Sequence, residues 1–290
     1  MPGRLTMRSS PWTTSALALL LVSAGAPRVA IAQTLPDLVT PDVLRVCGDP
    51  GNMPFSDRKE GGFENKIANI IGDELKVKVR YYWLTQGPGF VRNTLGTGLC
   101  DLIIGTSSGS DGVQSTNPYY RSTYTLITRR GDLDGVVRLD DPRLKDKSIG
   151  VIAGTPPVSR MGEIGLIGKM RTYAPYQLDP ARKHQTVSAE IVSDLAEKML
   201  DAAVLWGPAA GWLASQSGVE MNVVPLLDEP DRPPLSFRIG MGVRLEENDW
   251  KRGLNTVLRK RRADIDAVLR EFHVPLMAEE GNTLLEPAKP

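Results

Sequence analysis

The chain has 290 residues, with 35 Lys and Arg against 34 Asp and Glu, two His, two Cys and 41% apolar side chains. A formal charge of +1 offers no electrostatic footprint for nucleic acid, and abundant Val, Ile and Leu can build a core, which excludes wholesale disorder. Two Cys and two His are too few for a disulfide-dense miniprotein, an all-thiolate zinc site or a His-rich metal centre, so metal-dependent hydrolysis is disfavoured.

At the amino terminus, Arg4 and Arg8 precede the apolar run Ala16 to Val22, and Ala30-Ile31-Ala32 presents the small-x-small pattern of a signal peptidase site before Gln33. The expected leader is 1–32, and no later run approaches the ~20 apolar residues of a membrane span. Cleavage near Ala32 leaves 258 residues carrying 32 basic and 34 acidic side chains, a net charge of −2. The expected product is soluble, exported to the periplasm and free of a membrane anchor. In an oxidising compartment Cys47 and Cys100 are a candidate disulfide, the alternative being two small buried hydrophobes.

The mature chain then alternates. Val43 to Cys47 is a β-like run that breaks into the turn-rich loop Gly48 to Asn52. Phe63, Ile67, Ile70, Ile71 and Leu75 recur at spacings of three and four, one apolar stripe of a helix packed on a sheet. Val77 to Trp83 is a strand, Gly89 to Leu95 a second helix, and Cys100 to Gly105 the next buried strand. This order predicts a mostly parallel sheet with crossover helices, and such sheets bind ligands at the carboxyl ends of their strands, here the loops Gly48 to Ser56 and Thr106 to Ser115.

Tyr124 to Thr128 is expected to leave this unit as a strand, and a second α/β unit follows. It comprises strand Ser148 to Ala153, a helix opened by Thr155 as N-cap and Pro156, helix Ser188 to Leu200, strand Ala202 to Trp206, a helix from Gly207-Pro208 through Ala214, and strand Val223-Val224. After the Pro-rich linker Asp228 to Pro234, strand Arg238 to Val243 crosses back, and the apolar faces of Trp250 to Phe272 close the first unit. The predicted fold is α/β in two lobes, 33–129 plus 235–290 and 130–234, with two hinge crossings and a cleft between them.

Six blocks in order, Leu44–Ser56, Gly62–Ala68, Gly89–Leu95, Pro118–Tyr124, Trp206–Gly211 and Met241–Arg244, resemble the MxaJ/XoxJ family, periplasmic binding-protein-like accessories with the type II periplasmic binding protein fold. The resemblance implies a non-catalytic role in methanol oxidation and methylotrophy, in which the protein binds or activates a quinoprotein alcohol dehydrogenase. Pyrroloquinoline quinone and calcium or a lanthanide are then implied in that partner, and no cofactor or metal in this chain. The alternatives are a small-solute receptor of an ABC transporter and, behind it, a periplasmic dehydratase-type enzyme on the same fold.

The residues bear on that choice. Amino-acid receptors of this fold grip the ligand carboxylate with an Arg in the loop after the third strand, and 106–115 contains none. The candidate cleft residues for a ligand or partner are Asp49, Asn52, Phe55, Glu64, Phe90, Arg92, Tyr119, Tyr120, Arg121 and Trp206. Arg92 beside Phe90 and Arg121 beside Tyr119-Tyr120 have the composition of an anion pocket or a protein hot spot. The competing structural roles are packing for the aromatics, solvated heads for the arginines, a turn cap for Asp49 and helix-dipole stabilisation for Glu64.

Overall fold

In the computed structural model, which describes Gly3, Thr40, 42–175 and 186–285, the first strand β1 (Val43–Gly48) begins the compact unit that runs from Leu35 onward. Apart from Gly3, the expected leader and its cleavage site lie outside the described residues. The short strands β2 (Gly51–Asn52) and β3 (Ser56–Asp57) form a hairpin in the loop after β1, and α1 (Phe63–Leu75) buries Phe63, Ile67, Ala68 and Ile71. Strand β4 (Lys78–Trp83), helix α2 (Phe90–Asn93), β5 (Leu102–Ser107), β6 (Gln114–Ser115) and the ten-residue β7 (Tyr120–Arg129) complete the first passage.

The second passage holds β8 (Ile149–Ile152), α3 (Pro156–Glu163), β9 (Met170–Tyr173), α4 (Val187–Ala196), β10 (Ala202–Trp206), α5 (Gly207–Gln216) and β11 (Met221–Pro225). The chain then returns through β12 (Ser236–Val243) to α6 (Asn248–Lys260) and α7 (Arg262–Glu271).

The strands form one continuous sheet in the order β4-β1-β5-β12-β7-β10-β8-β9, with β11 added to β7 and β6 to β12. Each end is parallel, β4-β1-β5 on one side and β10-β8-β9 on the other, as crossover helices require. The middle departs from the expected parallel arrangement. Strand β12 runs antiparallel to both β5 and β7, and β7 runs antiparallel to β10 and β11, because the chain traverses between the lobes once in each direction.

Cores segregate accordingly. Leu44, Phe63, Ile71, Leu102, Met241, Trp250 and Leu269 pack into one cluster, whereas Ile149, Met161 and Val204 lie on one face of the second lobe and Ile127, Ile191 and Leu213 on the other. The fold is thus α/β and two-lobed, with β7 and β12 as the crossings.

Three local expectations change. The second helix is a single turn, because the Thr94 hydroxyl donates to the Phe90 carbonyl at 2.7 Å and the chain continues as a 3-10 turn, Leu95–Thr97. Thr155 is an N-cap by position but its side chain accepts no amide. Proline occupies the first two helical positions, so the hydroxyl donates instead to the Ile152 carbonyl at 2.6 Å. Strand β9, with exposed Arg171 and Thr172 at the edge of the sheet, lacks the apolar pattern by which a strand is read.

Cys47 and Cys100 are joined in a disulfide, with Cα atoms 5.4 Å apart. Both are also buried, within a small cluster containing Phe90, Leu95, Ile103 and Val113, so the bond staples the end of β1 to the approach to β5.

Candidate binding cleft

Strands β1, β4, β5, β8 and β10 all end at one place, and a cavity of about 530 Å³ lies there, backed by β7 and β12. The first lobe contributes Asn52 and Phe55 from the hairpin loop, Glu64 from the start of α1, Gln86 beyond β4, and Gly105 to Ser107 from the end of β5. The second contributes Ile152 and Pro156 at the β8–α3 junction and Trp206 at the end of β10. Between them Tyr120 and Tyr124 project from β7, and Phe237 and Ile239 from β12.

The period of two in a β-strand puts Tyr120 and Tyr124 on one face of β7, and the register that sets Ile239 opposite Tyr120 brings Phe237 to the same side. Tyr124, Trp206 and Phe237 then meet edge to face in a triangle with centroid separations of 5.4, 6.0 and 6.4 Å. Such tilted contacts favour the rings beyond the area they bury and hold the wall in place. With Phe55 and Tyr120, five aromatic rings line the cavity, and no Lys, Arg or His is among the lining residues.

Glu64 is the single acid in that lining. Its carboxyl has no hydrogen bond or ion pair among the described residues. Its accessible surface is intermediate because it looks into the cavity, yet it lies deep in the protein, and burial pushes its pKa up to about 8, with the nearby Asp49 charge adding to the shift. The favourable end of the α1 dipole is therefore outweighed by desolvation. Room for the carboxyl comes from Gly105, where any Cβ would collide with Glu64 Oε1. Burial also raises Tyr124 to about 12 and Tyr120 well above the ordinary phenol range, so both remain neutral hydroxyls.

Of the ten candidate residues, Asn52, Phe55, Glu64, Tyr120 and Trp206 are brought together in the cavity wall, and five are not. Asp49 is a turn anchor. Its two oxygens accept the amides of Gly51 at 2.8 Å and Gln86 at 2.6 Å, which fixes the loop that carries Asn52. Phe90 packs around the disulfide, and Tyr119 is buried in the first lobe against Tyr120, 5.0 Å between ring centroids. Arg92 is exposed on α2.

Arg121 occupies the reverse side of the hinge. Its guanidinium donates to Asp228 Oδ2 at 2.9 Å, to Ser236 Oγ at 2.6 Å and to the carbonyls of Ala278 and Gly281. The expectation of two cleft arginines is thus corrected: β7 alternation turns Arg121 away from Tyr120, and Arg92 belongs to a surface turn. Sequence reasoning missed Gln86, Tyr124, Ile152, Pro156, Phe237 and Ile239. The available signal was the alternation Tyr120-x-x-x-Tyr124 together with Phe237-x-Ile239 on the returning strand.

Two glycines of the Trp206–Gly211 block serve packing. A Cβ at Gly207 would strike the Thr123 carbonyl, and one at Gly211 the His273 carbonyl, so α5 can lie directly against the hinge and hold Trp206 at its edge.

No family model matches the chain. Protein MoxJ of Methylorubrum extorquens is 30% identical over 285 residues, covering 91% of this chain and 92% of its own length. Among solved structures, the periplasmic binding protein XoxJ from Methylobacterium extorquens AM1 is 66% identical, with a TM-score of 0.71 over 81% of this chain and all of that one. MxaJ from Methlophaga aminisulfidivorans MPT superposes with the same TM-score over 81% of this chain and 100% of its own at 24% identity, a likeness of fold.

Proposed function

The chain belongs to the family of MoxJ and XoxJ, periplasmic binding proteins, and from that premise we propose that it is a non-catalytic periplasmic accessory whose cleft docks a quinoprotein alcohol dehydrogenase. The supporting observation is the cavity wall: five aromatic rings, one lone acid and no guanidinium or ammonium among the lining residues. A receptor for free amino acids needs a cation for the ligand carboxylate, and here a carboxylate would meet one acid, Glu64, and only neutral donors such as Asn52, Gln86, Thr106 and Ser107. Rigid, half-buried Tyr, Trp and Phe side chains are the anchors that protein interfaces favour.

The dehydratase reading finds little support, since Glu64 has no second acid, base or nucleophile bonded to it to share a proton. A solute-receptor reading retains one observation, a volume of about 530 Å³, which suits a small molecule. On the accessory reading, pyrroloquinoline quinone and its calcium or lanthanide ion belong to the dehydrogenase. The lobes 33–129 plus 235–290 and 130–234 then act as two jaws joined by β7 and β12.

Gel filtration of the mature protein mixed with a quinoprotein alcohol dehydrogenase of the same organism, together with turnover assays, tests the proposal. Co-elution or altered turnover is expected, and no melting shift with the common amino acids. A tightly bound solute together with an unaffected dehydrogenase overturns it in favour of the receptor.

A further inference from the structure

A carboxyl set deep in an aromatic-lined cavity without a partner is an expensive arrangement, because a largely desolvated acid is normally satisfied by a cation or by amide donors. Asp101 in the same lobe shows the ordinary solution. Its carboxylate is clamped between Arg45 at 2.7 Å and Arg244 at 3.2 Å. Glu64 has neither kind of partner, and its carboxyl occupies the space that a side chain at Gly105 would enter.

The other titratable groups acting on Glu64 add no positive charge. Asp49 adds to the burial that raises its pKa, and Tyr81, Tyr119 and Tyr120, whose hydroxyls are raised chiefly by burial and further by Glu64, are neutral. Without a partner the carboxyl holds its proton near neutral pH, and a cation placed beside it would favour the ionised form. Ring faces attract cations through their quadrupole, and the effect grows when water is excluded.

We propose that the cleft receives an organic cation, the ammonium or guanidinium head of a Lys or Arg side chain presented by the docked dehydrogenase, with Glu64 as counter-ion and Tyr120, Tyr124, Trp206 and Phe237 as the surrounding faces. This rests on the accessory reading for the source of the cation, although the cation site itself does not. A side chain fits better than a free amino acid because no cation lines the cavity to neutralise an α-carboxylate, whereas in a protein that group is a peptide carbonyl, which the neutral donors Asn52, Gln86, Thr106 and Ser107 can serve.

The experiment uses the mature chain and its Glu64→Gln and Tyr124→Leu variants, each checked for a cooperative melt. n-Butylammonium and n-butylguanidinium chlorides, with n-butanol as the neutral control, are titrated by calorimetry, and the dehydrogenase is titrated separately. Both cations are expected to bind at least tenfold more tightly than butanol. Glu64→Gln should lose that preference and weaken dehydrogenase binding at least tenfold, and Tyr124→Leu should weaken the cations more than butanol.

Cations and butanol binding alike, or an unchanged Glu64→Gln profile, overturns the cation site. Equal dehydrogenase affinity for wild type and Glu64→Gln overturns the inference and leaves the accessory reading standing. A Glu64-dependent cation site in a protein that ignores the dehydrogenase overturns that reading and the partner as source, and assigns the cleft to a free amine.

Discussion

The two sides of the hinge are built from the same two strands and differ in almost every physical respect. Toward the cleft, β7 and β12 present Tyr120, Tyr124, Phe237 and Ile239 around a single unpaired acid. On the reverse side the register sets Arg121 opposite Arg238, a like-charge pair, and the Arg121 nitrogens are all engaged. Arg121 meets Asp228, Ser236 and two carbonyls of the C-terminal segment, and Arg238 donates to the Glu279 carbonyl at 2.8 Å. Asp228 in turn accepts the amides of Leu235 at 2.7 Å and Ser236 at 3.0 Å, and its carbonyl accepts from Asn282 Nδ2 at 2.7 Å.

The reverse side is satisfied and structural. On the cleft side Glu64, contributed by α1, has no partner among the described residues, and under the proposed reading a docked cation answers it.

Stability and binding should separate along this line, and the largest effect is expected where the cleft loop is anchored. Replacing Cys47 and Cys100 by Ser removes a cross-link spanning 53 residues, for which chain entropy gives about 4 kcal/mol. Denaturant unfolding should show that loss, and binding should weaken as well, since the bond fixes the strand from which the Asn52 and Phe55 loop departs.

Arg121→Ala should cost about 3 kcal/mol, because Asp228, 22% exposed, keeps its charge without the 14%-exposed guanidinium that answers it. Affinity in the cleft should stay within about twofold. A variant that melts normally but loses the dehydrogenase would undo the contrast between the two sides.

Glu64→Gln gives the opposite pattern and a pH signature. With a folded pKa of about 8 against an ordinary value near 4.5, the unfolded chain gives up its proton first as pH rises. The stability present below pH 4.5 is thus lost between 4.5 and 8 and stays constant above. The Gln variant has no such slope, and at pH 8.5 it should be more stable than wild type by on the order of 2 kcal/mol, given the partial solvent contact of the carboxyl. Thermal melts from pH 4 to 9 read this directly, and parallel profiles for the two proteins would show that the carboxyl is not desolvated.

Smallest of all, Arg92→Ala on its exposed turn should change stability by less than about 0.5 kcal/mol and leave binding unaltered. A large loss of binding there would move the contact surface out of the cleft.

The pattern of residues along the chain was enough for the elements that fill cores. The three-and-four spacing from Phe63 to Leu75 is helix α1, and the apolar run Ala202 to Trp206 is β10 to the residue. Glu64 and Trp206 were legible as wall candidates because each sits where an element begins or ends at the carboxyl edge of the sheet. Tyr124 and Phe237 were not, because nothing local says that residues 113 positions apart will share an edge-to-face contact. Arg121 was misplaced because a one-residue change of face on a strand carries a side chain from the cleft to the reverse side.

The division between sequence and tertiary structure follows from range. Periodicity, turn chemistry and composition act over a few residues, and they determined the alternating α/β order, the two crossings and the stripe that each helix buries. Strand register, the lateral order of the sheet and the pairing of charges depend on contacts between distant segments. Only the assembled fold decided that Asp101 is held by two arginines, that Arg121 locks the hinge, and that Glu64 faces an aromatic cleft with no partner of its own.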